Sequence, residues 1–351
     1  MLTSSRSLKA RESYILLNTA ILYLEKRGSR MNVVLLILDA LRLDHVNPEI
    51  TPNLMRIADQ GVFFSNSKAC NTSTLHSMPC ILGADTTYDP EVNIATTLNR
   101  HGVHTAVIHS NPMVHNFHPG FAETIDLKSK KFRMSKSWRK TLRNNLPPGI
   151  IAGIKRFRAN VYSEERYLPY SRADESLEYS LEWMGEHDGY FLWVHLMEPH
   201  IPYYPSETSL DVSRSEMRAL NDKLIEAVHG NYKPTEEEIV LAKTLYREEV
   251  TEMDREVGVF FDKISQDDLL VITSDHGEEF GEHGQFSHHT NKFIPILVDV
   301  PLIFYGDGVK KGAVVEEEVK SLSIAPTILE ALGISDAIGI GSSIWHLVKS
   351  D

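Results

Sequence analysis

The feature of this chain that most constrains its fold is an unbroken run of apolar residues that ends in a carboxylate. Val33–Leu38 contains only valine, leucine and isoleucine, and Asp39 follows directly. Such a run is typical of a strand buried on both faces, as in a parallel sheet. The carboxyl ends of strands in open α/β sheets border the ligand crevice, so Asp39 is well placed to hold a metal. The alternative is that Asp39 caps a helix that begins at Ala40.

Further strand and helix patterns alternate along the chain. Apolar segments predict strands at Val62–Phe64, 105–109, Tyr190–Leu196, Leu269–Thr273 and 301–305. Helical patterns cover 51–60, 94–101, 171–184, 234–264 (as one helix or two) and 326–332. This alternation predicts an α/β sandwich around a mostly parallel sheet.

The length of 351 residues is enough for one large α/β domain or two smaller ones. Met31 opens directly onto the first strand, so we interpret residues 1–30 as an N-terminal extension and residues 31–351 as the folded domain. The apolar segment 14–24 is too short to cross about 30 Å of hydrocarbon, and the residues before it are too polar for a signal peptide. We therefore expect a cytoplasmic location.

The charge of the chain is unevenly distributed. A net charge of −12 argues against nucleic acid as a partner, because affinity for nucleic acid rests on cationic contacts to phosphate. Residues 128–158 nevertheless hold eleven Lys or Arg and no acid; since the whole chain carries −12, the rest carries −23. We interpret this segment as a basic insertion at about 126–160. It is either a solvated loop or a docking patch for a polyanion or an anionic membrane face, which would make the protein peripheral to a membrane.

A second carboxylate follows a second strand pattern. Asp275, His276 and Gly277 come just after the strand that ends at Thr273. A carboxylate and an imidazole side by side can face one cation, and glycine allows the backbone to approach closely. Only two cysteines are present, which excludes a disulfide scaffold and a Cys-rich zinc cluster, whereas sixteen histidines and 48 acids leave a metal site open.

A hydroxyl-rich segment precedes an apolar run. Asn, Thr and Ser at 71–73 are turn formers, Thr74 follows, and Pro79 is suited to open a helix. A hydroxyl at a helix start lies at the positive end of the helix dipole, and a nearby metal can lower its pKa and make it a nucleophile. The alternative is that Thr74 or Ser73 is only an N-cap.

Five histidines fall in two segments that follow or end strands. His195 and His200 bracket one turn, and His283, His288 and His289 follow the Asp-His pair. A single histidine is usually structural, but this grouping indicates a site that handles an anion or a leaving-group proton.

Four groups of segments follow one another along the chain. They are NVVLLILDALRLDH at 32–45 with TPNL at 51–54, FLWVHLMEPHIPY at 191–203, TSDHGEEFGEHG at 273–284 with VPLI at 300–303, and SIAPTILEALGI at 323–334. In this order they resemble the sulfatase family of the alkaline phosphatase superfamily. The resemblance covers residues 31–347. It implies an alkaline-phosphatase-like α/β/α sandwich with a smaller C-terminal subregion.

The resemblance also implies a site. One divalent metal ion, among Zn, Mn, Ca and Mg, would be held by Asp39, Asp275 and His276, with the nucleophile Thr74 as a further ligand. This donor set suits Zn or Mn better than Ca, which prefers more oxygens. His200 resembles a family residue that contacts the esterified anion. The remaining substrate-binding candidates at the same mouth are His283, His288 or His289, and Asn111.

The nucleophile segment departs from that of true sulfatases. Those carry Cys or Ser in Cys/Ser-x-Pro-x-Arg, which becomes formylglycine, whereas this chain has Thr74, His76 and Met78. Thr cannot become formylglycine. The segment 74–80 instead resembles that of the phosphoethanolamine transferases, which, like the lipoteichoic acid synthases, use a metal-bound threonine.

We therefore predict a metal-dependent hydrolase or transferase of phosphate esters that forms a phospho-Thr74 intermediate. His200 or His289 would protonate the leaving oxygen. The expected partner is an anionic ester, glycan or lipid-linked. Two alternatives stay open. One is a sulfuric ester hydrolase; the other is a non-catalytic protein that binds an anionic glycan through residues 128–158.

Overall fold

The computed structural model describes residues 31–128 and 167–350. The predicted extension at 1–30 and nearly all of the predicted basic insertion lie outside these residues. The strands are β1 Val33–Leu38, β2 Val62–Phe64, β3 Ser67–Lys68, β4 His104–His109, β5 Glu123–Asp126, β6 Tyr190–Leu196, β7 Leu269–Thr273, β8 Leu302–Tyr305, β9 Ala313–Val315 and β10 Val319–Lys320.

Helices of very different length connect these strands. They are α1 Pro52–Ala58, α2 Thr74–Gly83, α3 Ile94–Arg100, α4 Ala173–Met184, α5 Arg214–Val228, α6 Glu236–Phe261, α7 Pro295–Val298, α8 Ile324–Ala331 and α9 Trp345–Val348. Short 3₁₀ helices lie at Leu43–His45, Pro112–Phe117 and Ser321–Ser323. Across the described ranges, no helix is both long enough and apolar enough to cross a membrane.

The central sheet explains why strand ends meet. In the described part of the chain its eight strands run in the order β5-β4-β6-β1-β7-β8-β2-β9. The five strands from β5 to β7 are parallel, β8 is antiparallel to both β7 and β2, and β9 is parallel to β2. A separate two-stranded sheet pairs β3 with β10. Because β1 is central and parallel to both neighbours, the carboxyl ends of β6, β1 and β7 lie at one edge.

The two faces of β1 feed two cores. All six residues of Val33–Leu38 are fully buried. Val34, Leu36 and Leu38 pack in the core that includes residues of α1, α4, α5 and α6. The alternate residues pack against α2, α3 and α8 on the other face, as the period of two of a strand requires. Each buried Val or Leu side chain contributes about 1.5–3 kcal/mol. The predicted α/β/α sandwich with a mostly parallel sheet is confirmed.

Several element boundaries differ from those predicted. The pattern at 234–264 forms one helix, α6, whose start is fixed by a capping box between Thr235 and Glu238. Helix α5 was not predicted, although Ser213 and Glu216 form the same kind of capping box. Helix α2 begins at Thr74 rather than at Pro79, which lies inside the helix. The predicted opening at Pro79 is therefore wrong, because a turn of helix forms before the residue that lacks an N–H.

Candidate active site

Two carboxylates and one imidazole converge at the carboxyl edge of the sheet. Asp39 follows β1, and Asp275 lies two residues beyond β7; the register pairs Ile37 with Thr273, so both carboxylates stand at the same level. Asp39, Asp275 and His276 are all fully buried. Each offers one ligand atom within 4.8 Å of the other two. Nε2 of His276 is 3.6 Å from Oδ1 of Asp39 and 3.6 Å from Oδ2 of Asp275.

The atoms that face one another in this cluster lack hydrogen-bond partners. They are Oδ1 of Asp39, Oδ2 of Asp275 and Nε2 of His276. Nδ1 of His276 donates to the carbonyl of Gly277 at 2.9 Å, which leaves the lone pair of Nε2 free. Three buried electron-pair donors without protons are costly unless a cation satisfies them. The donor set of two carboxylates and one imidazole therefore fits a divalent metal ion. We call Asp39, Asp275 and His276 the metal-fitting cluster.

The opposite oxygens of the carboxylates are fixed by the protein. Oδ2 of Asp39 accepts from Nδ2 of Asn111 at 2.8 Å and lies 3.0 Å from Nε2 of His195. Burial by itself raises the pKa of Asp39, but the charges of His200 and His195 outweigh it and hold this pKa well below its usual range. Oδ1 of Asp275 accepts from the backbone N–H of His276 at 3.0 Å.

The loops that carry Asp39, Asp275 and His276 approach their neighbours closely. Ala40, with φ of 62°, turns its N–H to within 3.3 Å of Oδ1 of Asp275. A Cβ on Gly277 would lie 2.0 Å from the carbonyl oxygen of Ile296. The predicted close approach at Gly277 is thus present. No larger residue fits there unless the backbone at Ile296 moves.

Thr74 is the first residue of α2 and lines a cavity of about 380 Å³. Asn111, His200 and His288 line the same cavity. Ser73 occupies the N-cap position in an extended conformation, but its hydroxyl lies 2.8 Å from Nδ1 of His76 and makes no capping bond. Of the two predicted N-cap candidates, Ser73 therefore occupies the N-cap position without a capping bond, and Thr74 is the first residue of the helix rather than its cap.

The predicted histidines divide between the cavity and its surroundings. The ring centroid of His288 is 4.1 Å from that of His276 and 5.0 Å from that of His200. Nδ1 of His200 donates to the carbonyl of Ile201 at 2.7 Å, which leaves Nε2 available to a ligand. His283 is exposed and His289 is partly buried, and neither is among the described residues that line the cavity.

His289 is held by the loop rather than aimed at the cavity. Its Nε2 lies 3.1 Å from the carbonyl of Phe286, and its own carbonyl accepts from the hydroxyl of Thr72 at 2.6 Å. These contacts connect the loop after β7 to the segment before α2. Its predicted role as the acid and that of His283 in substrate binding stay predictions.

Two buried residues of the site were not predicted to hold the metal or the substrate: His195 was counted only in the histidine grouping, and Glu278 was not singled out. His195 interrupts an otherwise apolar strand, and that interruption was the signal available for it. Glu278 is fully buried, and its Oε1 lies 3.3 Å from Nδ1 of His288. Burial raises the pKa of Glu278, but the imidazoles of His288 and His200 outweigh it and lower this pKa. Glu278 thus orients His288 in the cavity.

Lys128 is the only described residue of the predicted basic segment, and it lines the cavity. Its side chain adds a positive charge to the lining of the cavity. The expectation that this segment docks a polyanion or a membrane concerns residues outside the described ones.

Comparison with known families identifies the chain. The model of the family described as Sulfatase matches residues 31–334. The chain belongs to the sulfatase family. The predicted resemblance is confirmed, and it covers the strands, helices and loops that build the metal-fitting cluster.

Individual relatives and structures differ in what their names describe. A phosphopentomutase from Agathobacter rectalis is 35% identical over 102 residues, which are 29% of this chain and 24% of that protein. The chain thus spans about a quarter of the length of this curated relative. The soluble domain of lipooligosaccharide phosphoethanolamine transferase A from Neisseria meningitidis has a TM-score of 0.63 at 20% identity, covering 88% of this chain and 89% of that one. A phosphonate monoester hydrolase of Agrobacterium radiobacter has a TM-score of 0.62 at 19% identity, covering 90% and 76%. These structural likenesses show the fold.

Proposed function

We propose that this protein is a metal-dependent hydrolase or transferase of phosphate esters in which Thr74 is the nucleophile. The observation that carries the proposal is the position of Thr74. It lies at the start of α2, in a cavity that also includes Asn111, and Asn111 donates to Asp39 of the metal-fitting cluster. Thr74 therefore shares a cavity with a residue that contacts the metal-fitting cluster, and it lies at the positive end of a helix.

Asp39, Asp275 and His276 would hold the metal ion. A bound divalent cation would supply charge neutralisation and lower the pKa of a neighbouring hydroxyl. The mixture of carboxylate and imidazole donors favours Zn or Mn. Asn111 and His195 hold the second oxygen of Asp39, so that its first oxygen stays aimed into the cluster.

The residues of the chain account for the chemical steps. Thr74 gives its hydroxyl proton to solvent water, Oγ1 forms a bond to phosphorus, and the bond from phosphorus to the leaving oxygen breaks. His200 gives a proton from Nε2 to that oxygen; its place in the cavity favours it over His289. Water in hydrolysis, or an acceptor hydroxyl in transfer, then returns a proton to Nε2 of His200 and attacks phosphorus. The bond from phosphorus to Oγ1 breaks, and Oγ1 takes up a proton from solvent.

The cavity wall supports an anionic ester as substrate. Lys128 and His288 bring positive or hydrogen-bonding groups to it. The cavity is also lined by the exposed apolar side chains of Leu75 and Met113. These side chains suit a leaving group with apolar surface, such as a lipid-linked one. Glycan-linked phosphate esters are the other substrates to test.

A sulfuric ester is the second candidate substrate, because the matching family is named for that activity. Thr74 argues against it, since threonine cannot give the aldehyde that sulfatases use. A non-catalytic binding protein is disfavoured by the complete set of Asp39, Asp275 and His276. Release of sulfate from an aryl sulfate by the metal-loaded protein would favour the second candidate.

The decisive experiment compares Thr74→Ala, Thr74→Ser and the wild type on phosphate monoesters, phosphodiesters and an aryl sulfate. We expect Thr74→Ala to abolish turnover and Thr74→Ser to retain part of it. Intact-mass measurement after rapid quenching should show one added phosphoryl group on the wild type and none on Thr74→Ala. Thr87→Ala is the matched control, because Thr87 is exposed and does not line the cavity. Unchanged turnover in Thr74→Ala would refute the proposal.

A further inference from the structure

Three further histidines lie close together at the carboxyl end of β4, the strand next to β6. His109 is the last residue of β4, His115 lies in the 3₁₀ helix that follows, and His118 comes directly after that helix. Each offers one nitrogen within 4.8 Å of the other two. Their ring centroids are 5.1, 4.9 and 4.9 Å apart in pairs, and the Nε2 atoms of His109 and His118 are 2.7 Å apart.

These imidazoles are suited by their positions to bind a metal. His109 is fully buried, and its Nδ1 has no hydrogen-bond partner. The 2.7 Å between Nε2 of His109 and Nε2 of His118 leaves room for a single proton, so one of these nitrogens presents a lone pair, which is the form that binds transition metals.

A carboxylate stands behind the cluster. Asp126 ends β5, is paired in register with His109, and places Oδ2 3.2 Å from Nε2 of His115. Its Oδ1 accepts from the backbone N–H of Lys128 at 2.9 Å. Metal-bound imidazoles commonly have such a carboxylate partner, which fixes the ring. The side chain of His115 is 49% exposed, so an ion can reach the cluster from solvent.

We propose that His109, His115 and His118 form a second metal site, separate from the Asp39 set, that takes a transition-metal ion such as Zn²⁺. Three nitrogen ligands disfavour Mg²⁺ and Ca²⁺, which prefer oxygen. The site does not depend on the reaction of Thr74.

The site has a consequence for the active-site cavity. The segment between His109 and His115 includes Asn111 and Met113, which line the cavity, and Asn111 donates to Asp39. An ion that ties His115 and His118 to the end of β4 fixes both ends of this segment. The second site would therefore position Asn111.

The test measures zinc bound after equilibrium dialysis of the metal-free full chain. We expect about two equivalents in the wild type, and about one in each of His115→Gln/His118→Gln and Asp275→Asn/His276→Gln. In the latter background, Co²⁺ should give visible absorption bands of a nitrogen-ligated ion. Asp126→Asn should weaken the second affinity by about 10–100-fold.

Another trio provides the matched control. His104, Glu123 and His187 also offer three ligand atoms within 4.8 Å, but Glu123 already accepts from the indole N–H of Trp183, and Nδ1 of His187 already donates to the carbonyl of Trp183. His104→Gln/His187→Gln should therefore keep about two equivalents. Metal loss in that control would overturn the assignment to His109, His115 and His118. A His115→Gln/His118→Gln protein that folds and binds as much zinc as the wild type would overturn it as well. If that double variant does not fold, His115→Gln alone serves, since its ring is half exposed, and an unchanged Co²⁺ spectrum would then refute the site.

Discussion

Asp275→Asn should lower the stability of the protein relative to the wild type when metal is bound. Without metal, the variant should be as stable as the wild type or more stable. The substitution keeps an acceptor at Oδ1 for the N–H groups of His276 and Ala40 and replaces the unpartnered Oδ2 with an amide. That amide cannot bind a cation, but it can donate toward Nε2 of His276, which lies 3.6 Å from the present oxygen. The shape is kept, and only the charge and one ligand are lost.

The magnitude follows from the geometry of the cluster. Asp39 and Asp275 each place an oxygen within 4.8 Å of the other. Two unit charges at that distance repel by about 3 kcal/mol at an effective dielectric constant of 20, and neighbouring imidazoles offset part of this. Without metal, Asp275→Asn should therefore be as stable as the wild type or more stable. A metal at a thousandfold its Kd stabilises the wild type by about 4.1 kcal/mol, roughly 6 °C in Tm for a chain of this size.

The assay is thermal and denaturant unfolding of both proteins, with metal and after removal of metal by a chelator. The metal-induced gain should be about 4 kcal/mol smaller in Asp275→Asn. Asp299→Asn is the control, because Asp299 pairs with Lys68 at 2.6 Å outside the cluster and should leave the gain unchanged. Binding at the three-histidine site contributes to both proteins and cancels in the difference. An equal gain in the wild type and Asp275→Asn would refute the metal assignment.

Three further predictions test separate parts of the structure. His200→Gln should lower kcat by about 10²–10⁴-fold on alkyl phosphates and far less on aryl phosphates, whose leaving oxygens need no proton; equal losses in steady-state assays would contradict its role as the acid. Gly277→Ala should destabilise the protein by more than about 2 kcal/mol in denaturant unfolding, because the new Cβ meets the carbonyl of Ile296, whereas a smaller change would show that the loop yields. Burial raises the pKa of Glu282, but hydrogen bonds led by that from Arg42 at 2.9 Å outweigh it and lower this pKa to about 2. Glu282→Gln should thus cost about 1 kcal/mol near pH 7, and the difference should vanish as the pH falls from 4.5 to about 2; a pH-independent difference would contradict the ion pair.

The sequence predicted the metal-fitting residues because each has a local signal. Asp39 and Asp275 follow buried apolar runs, and in a parallel sheet residues that follow such runs collect at one edge. The place of Thr74 was predicted only in part. Pro79 suggested where α2 begins, but the helix starts five residues earlier, since tertiary packing of Met78 and Ile81 outweighs the lost hydrogen bond at the proline.

The three-histidine cluster had no comparable signal. His109 belongs to a strand, whereas His115 lies in a short 3₁₀ helix and His118 directly follows that helix. The sequence around His115 and His118 has no clear hydrophobic periodicity. Only the 3₁₀ helix Pro112–Phe117 brings the latter two back over the end of β4. A sequence pattern records spacing along the chain, and it does not record how sharply a turn reverses.

The order of strands, rather than their sequence, places the two clusters side by side. Parallel pairing in the order β5-β4-β6-β1-β7 aligns Asp126 with His109, His109 with His195, and His195 with Ile37, next but one to Asp39. Five neighbouring strands therefore carry an ionisable side chain at or within two residues of their carboxyl ends, along one continuous edge, although these residues are far apart in the chain. Since His195 contacts Asp39 and stands in register with His109, it lies between the two clusters, as Asn111 does on the loop that follows β4.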